Sequence, residues 1–262
     1  MSISFIDGNS KIRFSGVTDV GRVRDHNEDN FLIAEDMPLA AVSDGMGGHA
    51  SGEVASQITV DTLRRYYTDT HETGADTWPF PMPSLHVERD RMTVSIKLAN
   101  TIIHDTGKRD PSKKGMGCTA DAIYFSQGRF FIGHVGDSRV YRIRGTQIQL
   151  LTEDHSLLND YKRMKAMSGE ETENFPHKNV VVRALGLAPH VFVDILVEEY
   201  QQGDLYLLCS DGLTDMLDDD TILGTITRFQ SIDTASQTLV QQANEAGGVD
   251  NITALVVRIE PA

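Results

Sequence analysis

The chain has 262 residues, of which 40% are hydrophobic, and its formal net charge of −14 corresponds to a pI near 5.0. So acidic a chain repels a nucleic-acid backbone, which requires basic patches. No apolar run reaches the about 18 residues of a transmembrane helix, and the N-terminal "MSISFIDGNSKIRF" lacks the features of a signal peptide. We therefore expect a cytoplasmic monomer that binds neither nucleic acid nor a membrane, with Cys118 and Cys209 as buried thiols rather than a disulfide.

Short strand-like segments rich in β-branched and aromatic residues recur along the chain. They are "IRFSGVTDVG", "DNFLIAED", "LAAVSDG", "CTADAIYFS", "RFFIGHVGD", "RVYRIRG", "QIQLLTED", "VFVDILVEEY", "DLYLLCSDG" and "NITALVVRIE". Gln127-Gly128 and Gly145-Thr146 stand where tight hairpin turns are needed. The strands are therefore predicted to pair mostly as antiparallel neighbours.

Three helical regions interrupt the strands. The first covers Ala50 to Tyr67, and the second contains an apolar stripe at helical spacing. The apolar faces are predicted to be Val54, Ile58, Leu63 and Tyr66 in the first helix and Val94, Leu98 and Ile102 in the second. A third region spans about Asp218 to Glu245, and its opening "DDD" is interpreted as an N-terminal cap rather than a metal site.

The segment from Glu72 to Ser84 is predicted to be a loop between the first two helices. Its Trp78 and Phe80 either pack onto the body or form an exposed docking patch. No composition break separates the strands before and after the helices, so residues 1–262 are predicted to form one domain. Antiparallel strands flanked by helices indicate an α+β fold, an α-β-β-α sandwich of two packed antiparallel β-sheets.

Acidic residues follow several of the apolar runs. "AAVSDGMGGH", "YLLCSDG" and "GGVDN" contain Asp44, Asp211 and Asp250, and "RVRDHNEDNF" places Glu28 and Asp29 in a dense polar cluster near the start. Strands would deliver these carboxylates to one edge, where bare charges repel one another. Hard divalent cations such as Mg²⁺ or Mn²⁺, which prefer oxygen ligands, relieve that repulsion.

A series of motifs occurs in a fixed order: "RVRDHNEDN", "VSDGMGGHASGEVAS", "GMGCTA", "GHVGDSRVYRI", "LTEDHS", "RALG", "LLCSDGLTDML" and "DNITALVV". The series resembles that of the metal-dependent protein serine/threonine phosphatases of the PPM family, the type 2C phosphatases, in their compact bacterial form. It covers the chain from about Phe14 to Ile259. The resemblance implies two packed antiparallel sheets with helices outside and a two-metal centre in the cleft between the sheets.

Site residues can be assigned from the resemblance, motif by motif. Asp44 and Asp211 would hold the two cations, Mn²⁺ or Mg²⁺, with Asp44 bridging them. Gly45 would offer its backbone carbonyl, Asp250 would bind one ion, and Glu28 would serve the other directly or through water.

The remaining roles also come from the resemblance. Asp29 would order a metal-bound water, and Asp137 in "GDSR" would hold a third, weaker ion shared with Asp211. Arg24 would grip the substrate phosphate by paired hydrogen bonds. The competing interpretation of Arg24 is a surface ion pair.

Protonation of the leaving group is less defined by the motifs. Many eukaryotic relatives have histidine directly after the first Asp-Gly, where this chain has Met46. His49 is either the general acid or the cap of the helix that begins near Ala50. Cys118 lacks the basic phosphate loop that a cysteine nucleophile requires, and His134 and His155 are interpreted as structural.

Residues from about 157 to 182 resemble the variable flap insertion beside the active site, although a solvated helix and loop would explain them equally well. The predicted function is hydrolysis of phosphoserine and phosphothreonine in proteins by a water activated between two cations. A cognate Ser/Thr kinase or its substrates would be the partners. The alternatives are a non-catalytic phosphoprotein-binding module and a two-metal hydrolase of nucleotides or other small phosphoesters.

Overall fold

The computed structural model describes residues 2–47, 51–72, 84–164 and 180–262, and the strands within them form antiparallel sheets. The strands are β1 (Ile3–Asp7), β2 (Ser10–Asp19), β3 (Asn30–Ile33), β4 (Leu39–Ser43), β5 (Gly45–Met46), β6 (Gly117–Cys118), β7 (Ala120–Ser126), β8 (Arg129–Val135), β9 (Arg139–Arg144), β10 (Gln147–Leu150), β11 (Asp194–Glu199), β12 (Leu205–Cys209) and β13 (Ile252–Pro261).

A six-stranded sheet has the order β1-β2-β13-β12-β9-β10, and a five-stranded sheet has the order β11-β8-β7-β4-β3. The short pair β5-β6 stands apart from both. Every pairing is antiparallel. The predicted pair of antiparallel sheets is therefore confirmed, with one small additional pair.

The described residues also form helices, most of which lie on the outer faces of the two large sheets. They are α1 (Ser51–Glu72), α2 (Ser84–Arg109), α3 (Leu157–Met164), α4 (Asp211–Thr214), α5 (Asp219–Arg228) and α6 (Ile232–Glu245), with a 3₁₀ turn at Pro111–Lys113. Buried side chains of α1 and α2 pack on the five-stranded sheet, and those of α4 to α6 pack on the six-stranded sheet. A third cluster fills the space between the sheets, so the layers follow the predicted α-β-β-α order.

Strand β12 shows why the central strands contain continuous apolar runs. Tyr206 and Leu208 point into the layer between the sheets, while Leu205 and Leu207 point toward the helices. Alternate side chains of a strand face opposite sides of the sheet, so a strand covered on both faces must be apolar throughout. Because β12 is buried along its whole length, the polar residues that follow it, Ser210 and Asp211, begin where the apolar core ends.

The predicted hairpins and the predicted cap are confirmed. Gln127-Gly128 joins β7 to β8 with positive φ at both residues, and Gly145-Thr146 joins β9 to β10. Asp218 accepts a hydrogen bond from the backbone of Thr221 at 2.8 Å and thus caps α5. The region predicted as one helix, however, divides at 229–231 into α5 and α6.

The face assigned to α2 was wrong. Val94, Leu98 and Ile102 are 42%, 40% and 38% exposed. The buried face is formed instead by Met92, Ile96, Ala99 and Ile103. Both stripes are apolar at helical spacing, so only packing against the sheet selects between them. In α1, Leu63 is buried as predicted, while Val54, Ile58 and Tyr66 are half-buried.

Other predictions from the sequence have varied outcomes. Cys118 and Cys209 are both free and buried, as expected. Within the described residues, no helix combines the length and hydropathy needed to cross a membrane. Trp78, Phe80 and residues 165–179 of the expected flap lie outside the described residues.

Candidate metal centre and active site

Four of the predicted acidic residues stand at the ends of core strands. Asp44 directly follows β4, Asp211 follows β12 after one serine, Asp137 lies between β8 and β9, and Asp250 lies just before β13. The strands are apolar and buried, so their ends are the first places where a carboxylate reaches solvent.

These carboxylates line one cavity of about 430 Å³. Its walls are Arg24, Glu28, Asp44, Gly45, Met46, Gly47, Asp137, Val181, Asp211 and Asp250. Arg24, Glu28, Gly45 and all four of these aspartates are residues predicted from the sequence, and they come from both large sheets and the N-terminal loop. A single cleft between the sheets therefore contains the predicted acidic set.

The polar loop "RVRDHNEDNF" is anchored by Asn251. The side-chain oxygen of Asn251 accepts the backbone N–H of Glu28 at 2.8 Å. The Asn251 side-chain amide donates to the backbone carbonyls of Val20 and His26 at 3.0 and 2.9 Å. Asn251 is 5% exposed, so these hydrogen bonds lie in a protected environment. This loop is thereby a fixed wall of the cleft.

Asp29 lies at the floor, 4% exposed. The hydroxyls of Ser210 and Thr253 both donate to its Oδ2, each at 2.7 Å. Its Oδ1 is buried and has no hydrogen-bond partner among the described residues. Burial raises the pKa of Asp29 to about 7, and the nearby charges of Asp211 and Asp250 act in the same direction.

The carboxylates that line the cavity repel one another. Burial, followed by the charge of Asp29 and Asp211, raises the pKa of Asp44 well above its ordinary value. Burial and neighbouring carboxylates raise the pKa of Asp211 to about 6 and that of Asp137 to about 7. The cleft therefore gathers carboxylates whose mutual repulsion and burial disfavour the charged form.

Glycines allow the backbone to pack tightly beside Glu28. A Cβ on Gly45 would lie 2.3 Å from the carbonyl oxygen of Gly52 and 2.5 Å from that of Glu28. A Cβ on Gly52 would lie 2.7 Å from Glu28 Oε1, which accepts the Gly52 N–H at 3.2 Å. Only glycine fits at either position.

Arg24 is the cation at the mouth of the cleft. Its Nη2 donates to Asp250 Oδ2 at 2.6 Å, and its side chain remains 49% exposed. An exposed guanidinium that has one carboxylate partner keeps donors free for an incoming anion. The structure thus places an exposed guanidinium directly beside the acidic set.

The family model described as "Protein phosphatase 2C" matches residues 22–247, a span that contains all the residues that line the cavity except Asp250. The chain belongs to the protein phosphatase 2C family. It is a metal-dependent protein serine/threonine phosphatase.

Relatives of this phosphatase match along nearly their whole length. The serine/threonine phosphatase stp of Listeria monocytogenes is 36% identical over 245 residues, which cover 92% of this chain and 93% of the relative. The solved serine/threonine phosphatase PstP/Ppp of Mycobacterium tuberculosis superposes with a TM-score of 0.83 at 32% identity, covering 95% of this chain and 99% of the other. A PstP catalytic domain in complex with two manganese ions gives a TM-score of 0.82 at 31% identity and covers 96% and 99%.

The residues of the cleft fit a divalent cation. Every side-chain oxygen that lines the cavity belongs to a carboxylate, the ligand type that Mg²⁺ and Mn²⁺ prefer. The unpartnered Asp29 Oδ1 and the raised pKa values mark negative charge that a cation would compensate. These carboxylates line the cavity without closing on one point, since no group of three His, Cys, Asp or Glu side chains in the described parts of the chain forms a ready coordination shell.

The remaining predicted residues have different locations. Asp29 lies beneath the cavity lining, and His49 lies outside the described residues. His134 and His155 are buried and bonded to Asp121 and Asp194, in accordance with a structural role. Burial raises the pKa of the Cys118 thiol to about 11, which argues against a thiolate nucleophile.

Sequence reasoning missed the residues that hold the acidic set in place. Asn251, Ser210 and Thr253 each lie within three positions of a site aspartate and bond to the N-terminal loop. The available signal was a small polar residue interrupting an apolar run, as in "LLCSDG" and "DNITALVV". That signal becomes specific only when the partner loop is known.

Proposed function

We propose that this phosphatase hydrolyses phosphoserine and phosphothreonine in proteins with two divalent cations, Mn²⁺ or Mg²⁺, held in the acidic cleft. The observation that carries the proposal is that Arg24 and five of the predicted acidic residues, all except Asp29, line a single cavity. The PstP relative with two manganese ions supports the same stoichiometry here.

We propose the following ligands. Asp44 and Asp211 would hold the two ions, and Glu28, Asp250 and the backbone carbonyl of Gly45 would supply further oxygen ligands. Asp137 lines the same cavity and is the candidate ligand for a third ion, shared with Asp211. When bound, such cations supply the positive charge that polarises a phosphoryl group and acidifies water.

Arg24 and Asp29 then act on opposite sides of the reacting phosphate. Arg24 binds the phosphoryl oxygens from the mouth of the cleft through its free donors and stabilises the charge that develops on them. Asp29 holds a water from the floor through its unpartnered Oδ1, while Ser210 and Thr253 keep its other oxygen in place. His49 remains the candidate proton donor to the leaving serine or threonine oxygen.

The cleft suits a phosphorylated side chain that enters from a larger partner. Its walls are polar and charged rather than apolar, and it offers no aromatic platform among the residues that line it. A nucleotide base would gain affinity from such a platform. The proposed substrates are therefore phosphoproteins, including a Ser/Thr kinase or the proteins that the kinase modifies.

The test is phosphate release from a phosphothreonine peptide, measured with Mn²⁺, with Mg²⁺ and with excess EDTA. The Asp211→Asn protein is nearly isosteric and lacks one ligand charge. We expect metal-dependent turnover in the native protein and at least about 100-fold less in the variant, because losing only an outer-shell partner already costs about 10–100-fold.

The control is the Asp220→Asn protein, which removes an exposed carboxylate in the first turn of α5 that lines neither cavity beside Asp211. It should retain turnover. Faster release from ATP or another nucleotide than from the peptide would contradict the proposed substrate class. Peptide binding without turnover under any metal would support a phosphoprotein-binding module instead.

A further inference from the structure

Thr119, in the motif "GMGCTA", lies between two segments that carry cleft carboxylates. It is fully buried and immediately precedes β7. Its hydroxyl Oγ1 accepts the backbone N–H of Asp44 at 2.9 Å and lies 2.8 Å from the hydroxyl of Ser138, the residue after Asp137. One side chain thus bridges Asp44 and Asp137.

The backbone of Thr119 strengthens the link to Asp44. Its N–H donates to the carbonyl of Asp44 at 2.8 Å, and its own carbonyl accepts the hydroxyl of Ser43 at 2.6 Å. Thr119 therefore holds both the backbone N–H and the backbone carbonyl of Asp44. The directions of the Asp44 side chain and of the following Gly45 carbonyl depend on these two hydrogen bonds.

The methyl side of Thr119 supports the turn that carries Asp137. A Cβ on Gly136 would lie 2.6 Å from both Cβ and Cγ2 of Thr119, so this turn packs directly on the threonine. The turn contacts Thr119 twice, through an apolar contact at Gly136 and a polar contact at Ser138. Each can be removed separately by substitution.

We propose that Thr119 is a positioning residue that sets the spacing of Asp44 and Asp137 across the cleft and thereby the affinity of the metal centre. This inference rests on the proposed role of those two aspartates as ligands. A hydroxyl has one proton and two lone pairs, so Thr119 can satisfy Asp44 and Ser138 together. Valine has nearly the same shape and can satisfy neither.

The alternative is that Thr119 only stabilises the core, and Thr59 provides the matched control. Thr59 is also fully buried, and its hydroxyl contacts Cys118 Sγ at 3.0 Å and the carbonyl of Ala55 at 3.1 Å. It neighbours the same motif but bonds to neither carboxylate segment. Thr59→Val therefore removes an equally buried hydroxyl without touching the bridge.

The experiment uses metal-stripped full-length protein and titrates Mn²⁺ by calorimetry for the native protein and for Thr119→Val, Thr119→Ser and Thr59→Val. Thermal unfolding without metal is recorded for each. We expect Thr119→Val to bind Mn²⁺ about 10–100-fold more weakly, as is typical when an outer-shell hydrogen bond is lost. Thr119→Ser should stay near the native affinity because it retains the hydroxyl.

The control should separate the two roles. Thr59→Val should lower the unfolding temperature and leave Mn²⁺ affinity unchanged. Equal affinities of Thr119→Val and Thr59→Val would overturn the positioning role. If Thr119→Val does not fold, Ser138→Ala removes the other half of the bridge and should weaken Mn²⁺ binding in the same direction. Unchanged affinity there would also overturn it.

Failure of the proposed function is distinguishable in the same titration. A native protein that binds no Mn²⁺ would refute both the metal centre and the inference drawn from it. If the native protein binds Mn²⁺ and Thr119→Val binds it equally tightly, only the role of Thr119 is refuted.

Discussion

The floor and the rim of the cleft are held by different kinds of contact. At the floor, Asp29 is 4% exposed and receives two hydrogen bonds from fully buried hydroxyls. At the rim, the side chain of Arg24 is 49% exposed, and α3 contributes no buried residue. Polar contacts hold α3, such as Asn159 Nδ2 donating to the carbonyl of Asp154 at 2.9 Å. Buried hydrogen bonds thus fix the floor, whereas partly exposed polar contacts hold the rim.

The largest expected effect in this comparison is at Arg24. Replacing it by alanine should lower kcat/KM for a phosphothreonine peptide by about 100-fold, the cost typical of removing one donor to a developing oxyanion. Arg24→Lys should recover only part, because lysine lacks the planar fork. Thermal stability should change little, since the pair with Asp250 is exposed.

Arg22→Ala is the matched control for Arg24. Arg22 is exposed in the same loop and does not line the cavity, so its removal should leave kcat/KM near the native value. Equal losses in the two variants would mean that loop charge in general, rather than a placed guanidinium, supports activity.

The floor makes a prediction about pH. In metal-free protein the pKa of Asp29 is raised to about 7 and that of Asp211 to about 6, mainly by burial. A carboxyl whose pKa is raised on folding binds more protons when folded, so stability falls as pH rises from about 4 to about 7. We expect the unfolding temperature in EDTA to decrease over that range.

Asp29→Asn should flatten this pH dependence, because the amide does not titrate, and excess Mn²⁺ should flatten it by compensating the charge. Unfolding temperatures of both proteins, recorded in EDTA between pH 4 and pH 8, provide the measurement. If the unfolding temperature of Asp29→Asn falls with pH as steeply as that of the native protein, groups other than Asp29 cause the pH dependence.

The smallest effect should be at the rim helix. Lys162 of α3 lines a second cavity of about 190 Å³ that shares Asp137 and Asp211 with the main one. Lys162→Ala should change KM for a phosphopeptide by at most about fivefold, the value of an exposed charge interaction. Turnover of p-nitrophenyl phosphate, which has no flanking residues, should not change. A large loss of activity toward both the phosphopeptide and p-nitrophenyl phosphate would mean that Lys162 takes part in the reaction itself.

Local sequence patterns determined much of the fold. Gly128 adopts positive φ without steric cost, and a continuous apolar run such as that of β12 indicates a strand covered on both faces, so hairpins and core strands follow from short-range chemistry. The stripe chosen for α2 shows the limit. Two apolar stripes satisfied the same periodicity, and only contact with the sheet decided that Met92 and Ile96 are buried while Val94 is exposed.

The chemical identity of the site was likewise readable from the sequence, because carboxylates after apolar runs must gather where core strands end. Its organisation was not. The pairing of Ser210 and Thr253 with Asp29, and of Thr119 with both Asp44 and Ser138, joins residues up to 224 positions apart. Hydrogen bonds over such separations have no local pattern, since they exist only after distant strands have paired and the two sheets have packed together.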